Sequence, residues 1–442
     1  MGSKIKKFGR YLLLKKIARG GMAEIFRAMA FGGQGFSKYV VLKRMLPDIT
    51  KDHQFVDMFV AEAKLVATLN HANIVQIYDF GLIDDRLYLA MEYVQGMNLS
   101  QVINDMRELG QPVPIATACY IITEALYGLD HAHRQTDQAG KPLNIIHRDV
   151  SPSNIIVSFE GHVRLVDFGI AKATQVSIRT QSGILKGKFK YMSPEQARGK
   201  PLDQRTDLFS TGICLYKLLT LRDAYDAEKE FDRLHQAREC LFPKPTEINP
   251  NIPEELEKII LKAMHPDRDQ RYDNAAQMRD AMESFAFTNN LQMFSSDLAR
   301  FMRTGFSDKL KKIQSDMAKE AKLLERYRPS TETIRKVKDS DYSELRTLIV
   351  DREQLSKKFG LPKLGDESDI PTEQSSASGT YSESELNWDD VTTTEDWEHD
   401  FHDLIEHEPS LFDTKDERPL EQRRTAREIP AVKLPIDDDD PE

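Results

Sequence analysis

The stretch HRDVSPSN, residues 147–154, decides the fold of this chain. It places Asp149 five residues before Asn154, and the tripeptides DFG (167–169) and SPE (193–195) follow it in that order. Any single tripeptide can occur by chance, but the fixed spacing, the order and an upstream lysine together lower the chance frequency to well below ~1%. The three strings therefore have to be interpreted as one constellation.

The residue types in this constellation fit phosphoryl transfer from ATP. An aspartate such as Asp149 can orient a substrate hydroxyl, while Asn154 and Asp167 offer the hard oxygen atoms that Mg²⁺ prefers. The later SPE segment suits a loop that docks a polypeptide. The sequence thus predicts ATP as a substrate, Mg²⁺ as the cofactor, and Asn154 and Asp167 as metal ligands.

Bulk properties predict a soluble, cytoplasmic protein. The chain has 442 residues, enough for one large domain of two lobes plus a further segment. Its three cysteines lack the paired spacing of a zinc site or a disulfide framework. The longest apolar stretch, 115–129, contains Glu124 and is too short to cross a membrane, and no signal peptide is visible. We therefore expect no membrane partner.

Charge is distributed unevenly along the chain. Residues 366–442 hold 25 acidic and 6 basic side chains, a net charge of −19, although the whole chain carries only −10. Dense like charge with little apolar surface predicts that 329–442 is largely disordered, and acidic from 366. The lysines and arginines of the front part are spread rather than clustered, so we expect no nucleic-acid partner.

The hydrophobic pattern predicts a β-rich part followed by a helical part. Alternation of apolar and polar residues predicts five strands, at 11–18, 24–31, 39–43, near Ile77 and near Leu87. One stretch with helical spacing, at about 52–69, lies between the third and fourth of them. Beyond Leu99 the patterns are mostly helical, at 116–132, 203–219, 254–264 and 274–287.

The chain resembles the protein kinases, and within them a soluble subgroup of bacterial eukaryotic-type serine/threonine protein kinases. The resemblance rests on GGMA (20–23), HRDVSP (147–152) and KGKF (186–189), and it extends from about 11 to 287. It implies an α+β, two-lobed protein-kinase fold with a small lobe of five β-strands plus one helix and a large, mainly α-helical lobe. It also implies an ATP-dependent serine/threonine protein kinase of bacterial signalling that phosphorylates protein hydroxyls, its own included.

These patterns predict three parts of the chain. The protein kinase domain would span 11–287, divided into an N-lobe (11–94) and a C-lobe (95–287), followed by a helical extension at 288–328 and the tail at 329–442. Apolar residues recur every three or four positions in the extension, from Leu298 to Leu324. We expect it to pack on the large lobe rather than form a dimerising coiled coil, because Gly305 interrupts the pattern.

The resemblance also implies which residues bind the nucleotide. Lys43 would hold the α- and β-phosphates, with Glu62 as its catalytic ion-pair partner. The linker after the fifth strand would bind adenine through Met91, Glu92 and Val94. The glycine-rich loop would lie over the phosphates, and its predicted residues are Ile17, Ala18, Arg19, Gly20, Gly21, Met22, Ala23, Glu24 and Ile25.

Three further residues have structural roles by the same resemblance. Glu195 of the SPE segment would pair with a buried Arg271. Asp207 resembles a helix-capping aspartate that steadies the catalytic loop. None of the three is expected to contact a substrate.

Two departures from the family pattern leave two interpretations open. Serine/threonine kinases normally carry a lysine two residues after the catalytic aspartate, where this chain has Ser151, and a threonine where it has Lys188. One interpretation is a catalytically weak, pseudokinase-like scaffold, which Ala18 and Ala23 in place of glycines also favour. We favour the other, an active kinase in which Lys188 is a catalytic residue that reaches back toward Asp149 and the γ-phosphate.

The loop between DFG and SPE is predicted to be regulatory. Kinases with an arginine before the catalytic aspartate, here Arg148, are often switched by a phosphate on this loop. The candidate phosphorylation sites are Thr180, Ser182 and Ser177, in that order of preference.

Both tryptophans of the chain, Trp388 and Trp397, lie in the acidic tail. A short helix would gather Trp397, Phe401, Leu404 and Ile405 on one face. The plain interpretation is a local cluster without a partner. The alternative is a recognition segment, from Trp388 to Ile405, that binds a partner protein or the kinase region of the same chain.

Overall fold

A six-stranded antiparallel sheet forms the small lobe, in a computed structural model that describes residues 6–32, 36–47, 53–168 and 188–324. Its strands are β1 (Lys6–Phe8), β2 (Tyr11–Arg19), β3 (Ala23–Phe31), β4 (Ser37–Met45), β5 (Ile77–Ile83) and β6 (Arg86–Glu92). They lie in the order β1-β2-β3-β4-β6-β5, and helix α1 (His53–Ala67) connects β4 to β5. The side chains of 53–55, 57, 58, 61, 62 and 188 lie outside the description.

The predicted number of five strands was one too low. All five predicted strands are present, and β1 adds a short sixth strand at the edge, paired with β2. Only Phe8 of its three residues is buried. A strand this short shows too few alternations to be recognised in the sequence.

Each face of the small-lobe sheet carries its own cluster of buried side chains. Alternate residues on one face, among them Tyr11, Leu42 and Tyr88, form a buried cluster. On the opposite face Leu12, Leu14 and Met29 form a second cluster. That cluster also contains Leu324, from the end of the described chain.

Helices build the large lobe, as predicted. They are α2 (Leu99–Glu108), α3 (Ile115–His133), α4 (Pro194–Ala197), α5 (Arg205–Thr220), α6 (Glu230–Glu239), α7 (Pro245–Ile248), α8 (Glu254–Ala263) and α9 (Ala275–Thr288). Helix α5 is the centre of the lobe, because every residue from Thr206 to Thr220 is buried. Gly212 permits close packing there, since a Cβ atom at this position would lie 2.8 Å from Cγ of Met264.

A second, three-stranded sheet positions the catalytic segments. It consists of β7 (Gly96–Asn98), β8 (Ile155–Ser158) and β9 (Val163–Leu165) in that order. A 3₁₀ helix, Pro152–Asn154, leads directly into β8, and Asp167 follows two residues after β9. The residues on either side of this hairpin are therefore neighbours.

The extension forms two helices, α10 (Ser295–Gly305) and α11 (Ser307–Leu324). The expected packing on the large lobe is observed for α10, where Leu298 and Met302 join the main core. It was wrong for the end of α11, because Leu324 packs on the small-lobe sheet. Within the described ranges, no helix is both long and apolar enough to cross a membrane.

Candidate active site

Asp149 and Asn154 are joined by hydrogen bonds. Nδ2 of Asn154 donates hydrogen bonds to Oδ2 of Asp149 and to its backbone oxygen, both at 2.9 Å. The 3₁₀ helix produces this approach by turning the chain back, and the Asn154 amide donates to the oxygen of Ser151. With its nitrogen engaged, the Asn154 side chain presents its oxygen atom as a ligand for a cation.

A buried carboxylate fixes the start of the catalytic loop. Oδ2 and Oδ1 of Asp207 accept the backbone N–H groups of His147 and Arg148, each at 2.8 Å. Nε2 of His133 lies 2.8 Å from the same Oδ2. The expected steadying role of Asp207 agrees with these contacts, but the expected helix cap was wrong, because Gln204 is the N-cap of α5. The acceptor serves loop amides that burial would otherwise leave unpaired.

Two catalytic-segment residues have left-handed backbone conformations. The φ angle is +61° at Arg148 and +55° at Asp167. Such angles strain residues other than glycine and persist where the surrounding structure determines them. Here the hydrogen bond that the Arg148 amide donates to Asp207 holds Arg148 in place, so the backbone aims the following Asp149 rather than relaxing.

Lys43 and Asp167 form an ion pair between the lobes. Nζ of Lys43, on β4, lies 3.0 Å from Oδ1 of Asp167, and both side chains are partly exposed. Glu62 lies in α1, but its side chain is outside the described residues, so its pairing with Lys43 stays a prediction. The observed pair brings the cation predicted to bind phosphate beside a candidate metal ligand.

Phe168 and His147 link the DFG segment to the catalytic loop. Their ring centroids are 4.4 Å apart, and both residues are buried. Nε2 of His147 also contacts the oxygen of Val166 at 3.1 Å. The Val166 amide donates to the oxygen of Asn154 at 3.0 Å, so both candidate metal ligands lie on one hydrogen-bonded framework.

The predicted glycine-rich loop is the turn between β2 and β3. Residues 17–21 are exposed, and the turn is closed by a hydrogen bond from the Gly20 amide to the oxygen of Ala23, at 2.9 Å. The oxygen of Met22 accepts a bond from the Leu46 amide, which ties the turn to the end of β4. The tip of this turn is therefore exposed while its base is tied to β4.

Glu24 occupies a different environment from the rest of that loop. Its carboxylate lies 2.5 Å from Nζ of Lys16 and 2.9 Å from Nη2 of Arg44. Hydrogen bonds from Lys16 and then Arg44 lower the pKa of Glu24 from 4.5 to about 2. The carboxylate thus joins neighbouring strands, and the nucleotide contact predicted for Glu24 stays a prediction.

We expect Glu24→Gln to change acid stability. A carboxyl with a lowered pKa in the folded state stabilises it fully above the unfolded pKa near 4.5, and that contribution is lost as the pH falls toward about 2. The difference in unfolding free energy between wild type and variant should therefore shrink over this interval. Denaturant titrations at several pH values measure it, and a difference that stays constant would contradict the assignment.

The linker between the lobes begins where β6 ends. Met91 is buried, Val94 is half-buried, and the Glu92 amide donates to the oxygen of Gln76 at 2.9 Å. Nε of Arg164 lies 3.5 Å from the Glu92 carboxylate. Contacts with Gln76 and Arg164 thus hold Glu92, within the segment that is predicted to bind adenine.

The polypeptide-docking segment is anchored by a buried ion pair. Arg271 donates two hydrogen bonds to Glu195, at 2.7 and 2.9 Å, and Thr206 donates a third at 2.8 Å. Burial alone would raise the pKa of Glu195, but the hydrogen bonds and charge of Arg271 outweigh it and hold that pKa below its ordinary value. The predicted pairing of Glu195 with Arg271 is present.

Sequence reasoning missed Gln196, which joins this segment to the catalytic loop. Its Nε2 donates to the oxygen of Arg148 at 3.0 Å. Its Oε1 accepts from the Ser193 amide while Ser193 caps α4, which is a capping box. The S-x-x-Q spacing at 193–196 is the signal that would have revealed it.

Ser151 is described in the structure, but several other predicted residues are not. Ser151 is buried, and its Oγ lies 2.8 Å from Oγ of Ser153. The side chain of Lys188 and all atoms of Ser177, Thr180 and Ser182 lie outside the described residues. The roles predicted for these four residues therefore stay predictions.

The donor set fits a magnesium ion held jointly with phosphate. Within the described ranges no group of three or more His, Cys, Asp or Glu side chains is placed to hold a metal. Asn154 and Asp167 instead offer one amide oxygen and one carboxylate. Mg²⁺ is commonly bound in this way, by one or two protein ligands together with substrate phosphates.

Comparison with known proteins identifies the family. Residues 11–283 match the family model described as protein kinase domain. The chain belongs to the protein kinase family. This chain is 40% identical over 304 residues to the tyrosine-protein kinase MasK of Myxococcus xanthus. The aligned region covers 69% of this chain and 47% of that relative.

Other kinases are similar over the same region. Identity is 34% over 270 residues with the serine/threonine-protein kinase PrkC of Bacillus subtilis, covering 61% of this chain and 39% of the relative. The chain thus spans less than half the length of these curated relatives. A crystal structure of the Mycobacterium tuberculosis PknI kinase domain matches with a TM-score of 0.50 at 24% identity, over 64% of this chain and 98% of that one, and supports the fold.

Proposed function

We propose that this chain is an ATP-dependent serine/threonine protein kinase that acts in the cytoplasm and also phosphorylates itself. The observation that carries the proposal is the arrangement of four side chains across the cleft. The Lys43–Asp167 ion pair and the Asn154–Asp149 hydrogen bond are joined through the Val166–Asn154 backbone contact. A cation, two oxygen donors suited to Mg²⁺ and a carboxylate suited to orient a hydroxyl, all within one hydrogen-bonded framework, support the proposal.

The proposed roles follow from these positions. Lys43 exchanges part of its contact with Asp167 for the α- and β-phosphates. Mg²⁺, when bound by Asn154 and Asp167, neutralises phosphate charge, and Asp149 orients the acceptor hydroxyl and takes its proton. The loop at 17–25 covers the phosphates, the linker at Met91, Glu92 and Val94 holds adenine, and the kinase domain extends over 11–287.

The acceptor hydroxyl is the part of the proposal that needs its own test. A tyrosine acceptor is the second candidate, favoured by the 40% identity to a kinase named as tyrosine-specific and by the small Ser151 where serine/threonine kinases normally carry lysine. Phosphoamino-acid analysis after reaction with matched peptides bearing serine, threonine or tyrosine distinguishes the two. Phosphoserine or phosphothreonine supports the proposal, and exclusive phosphotyrosine replaces it with the second candidate.

We also propose that Lys188 supplies the cation that Ser151 does not. Lys188→Thr should lower the transfer rate roughly 10²-fold, because one charge that stabilises the transferring phosphoryl group is lost. Adding Ser151→Lys should restore part of the rate, since the two residues act at one position. Steady-state rates of both single variants and the double variant test this coupling, and strictly additive losses would contradict it.

Two parts of the proposal concern residues outside the described ranges. A phosphate on Thr180, Ser182 or Ser177 would pair with Arg148 and activate the enzyme, which mass spectrometry of the active protein tests. The segment from Trp388 to Ile405 would bind a partner or the kinase region of the same chain. An unchanged rate after removal of 366–442, solvent-like tryptophan emission and the absence of any captured partner would together contradict the second idea.

A further inference from the structure

Helices α10 and α11 are fastened to the large lobe at their beginning. Nε of Arg303 donates to the oxygen of Phe159 at 2.8 Å, and Phe159 follows β8. Nζ of Lys309 lies 3.1 Å from Asp105 of α2. Phe306, between the two helices, is buried in the main core. The start of the extension is therefore part of the large lobe.

The second half of α11 is fastened to the small lobe. Asp316 lies 2.7 Å from Nζ of Lys15 on β2. One turn later, Glu320 lies 2.5 Å from Nη2 of Arg27 on β3. One turn later again, Leu324 enters the cluster that Leu12, Leu14 and Met29 form on the small-lobe sheet. Positions four residues apart share one helix face, so one side of α11 carries all three contacts.

The Glu320 contact continues to the linker between the lobes. Nη1 of Arg27 donates to the hydroxyl of Tyr93 at 3.2 Å, and the guanidinium carbon lies 5.6 Å from the centre of the Tyr93 ring. Tyr93 stands between Glu92 and Val94, the residues proposed to hold adenine. A chain of contacts from Glu320 through Arg27 to Tyr93 thus joins α11 to the nucleotide site.

Burial makes this chain sensitive to change. The side chains of Arg27 and Glu320 are 4% and 12% exposed. Nε of Arg27 and Oε2 of Glu320 are buried and have no hydrogen-bond partner among the described residues. A charge pair held by one bond in a dry environment loses its compensation when either partner is removed.

We propose that α10 and α11 form a strap between the lobes, and that Glu320 is a positioning residue that sets nucleotide affinity through Arg27 and Tyr93. Helix α11 has 18 residues and is about 27 Å long, so it works as a stiff connection rather than a loose tether. Kinase lobes move as bodies about the linker between them. A stiff connection fixed at both ends favours one separation of the lobes. Tyr93 transmits the position of α11 to the site proposed to hold adenine.

The proposal rests on the proposed function only through nucleotide binding, which can be measured without transfer. Binding of a fluorescent, non-hydrolysable ATP analogue with Mg²⁺ is compared for wild type, Glu320→Gln, Arg27→Gln and the double variant. We expect each single change to weaken binding about fivefold or more, and the double change to be no worse than the stronger single one. Glu255→Gln, an exposed change of the same type on α8, serves as the control and should bind as wild type does.

Unchanged affinity in Glu320→Gln, or losses that add in the double variant, would overturn the strap. Hydrogen exchange of the unmodified protein decides the question if the variants fail to fold. Coupling is reciprocal, so the nucleotide analogue should slow exchange in 307–324, and no change there would also overturn the proposal. Wild-type protein that binds no ATP would instead contradict the proposed function, so the two failures are distinguishable.

Discussion

Asp149→Asn should lower the rate of phosphate transfer by ~10²–10⁴-fold while the protein stays folded and binds ATP. Asparagine retains an oxygen that accepts the hydrogen bond from Nδ2 of Asn154, so the loop keeps its geometry. It does not retain the carboxylate that takes up the proton of the acceptor. Initial rates at saturating ATP, with nucleotide binding measured in parallel, separate lost chemistry from lost binding.

Asp84→Asn is the matched control for this experiment. Asp84 lies exposed in the turn between β5 and β6 with a φ of +49°, a conformation that asparagine also tolerates. It should transfer phosphate at the wild-type rate. Near-normal transfer by Asp149→Asn would show that another group orients the acceptor.

Arg271→Gln should reduce the free energy of unfolding by about 3–5 kcal/mol, the usual loss when one member of a buried ion pair is removed. The Arg271 side chain is 0% exposed and Glu195 is 7% exposed. Glutamine cannot supply both hydrogen bonds, and it leaves the Glu195 carboxylate charged in a dry environment. Urea unfolding followed by circular dichroism measures the loss.

Arg134→Gln provides the comparison, because its side chain is 76% exposed beside Asp130. Surface pairs of this type contribute about 0–1 kcal/mol, so the midpoint of unfolding should hardly move. Equal losses in the two variants would mean that burial does not determine the strength of the Glu195 pair. Transfer by Arg271→Gln should also fall, since the docking segment is connected to Arg148 through Gln196.

The sequence was most informative where chemistry restricts both residue type and spacing. A short string sufficed to assign Asp149 and Asn154 to one site, and in the structure a hydrogen bond joins them. The Glu195–Arg271 pair was predicted only because its partners belong to a known family pattern, although 76 residues separate them. Helix and strand positions followed from hydrophobic periodicity, which reports burial directly.

Contacts between distant residues without such a pattern were not predictable. Arg27 and Glu320 are 293 residues apart, and each looks like an ordinary surface charge in the sequence. Their burial arises only when α11 crosses to the small lobe. The ion pairs of Glu24 with Lys16 and Arg44 were likewise not foreseen from its place in the loop. Which cations come within reach of Glu24 depends on the register of the strands. Alternation fixes the face on which each residue lies, but a slip by two positions preserves that alternation.

Transfer of label from γ-labelled ATP by the purified chain, in the presence of Mg²⁺, tests the central claim most directly. The four-residue arrangement predicts label on serine or threonine of the protein and of added peptides, Mg²⁺-dependent and abolished in both Lys43→Met and Asp167→Asn. A scaffold would give a different result. If folded, ATP-binding wild-type protein transferred no label above those variants, the claim that this site is a working kinase would be contradicted.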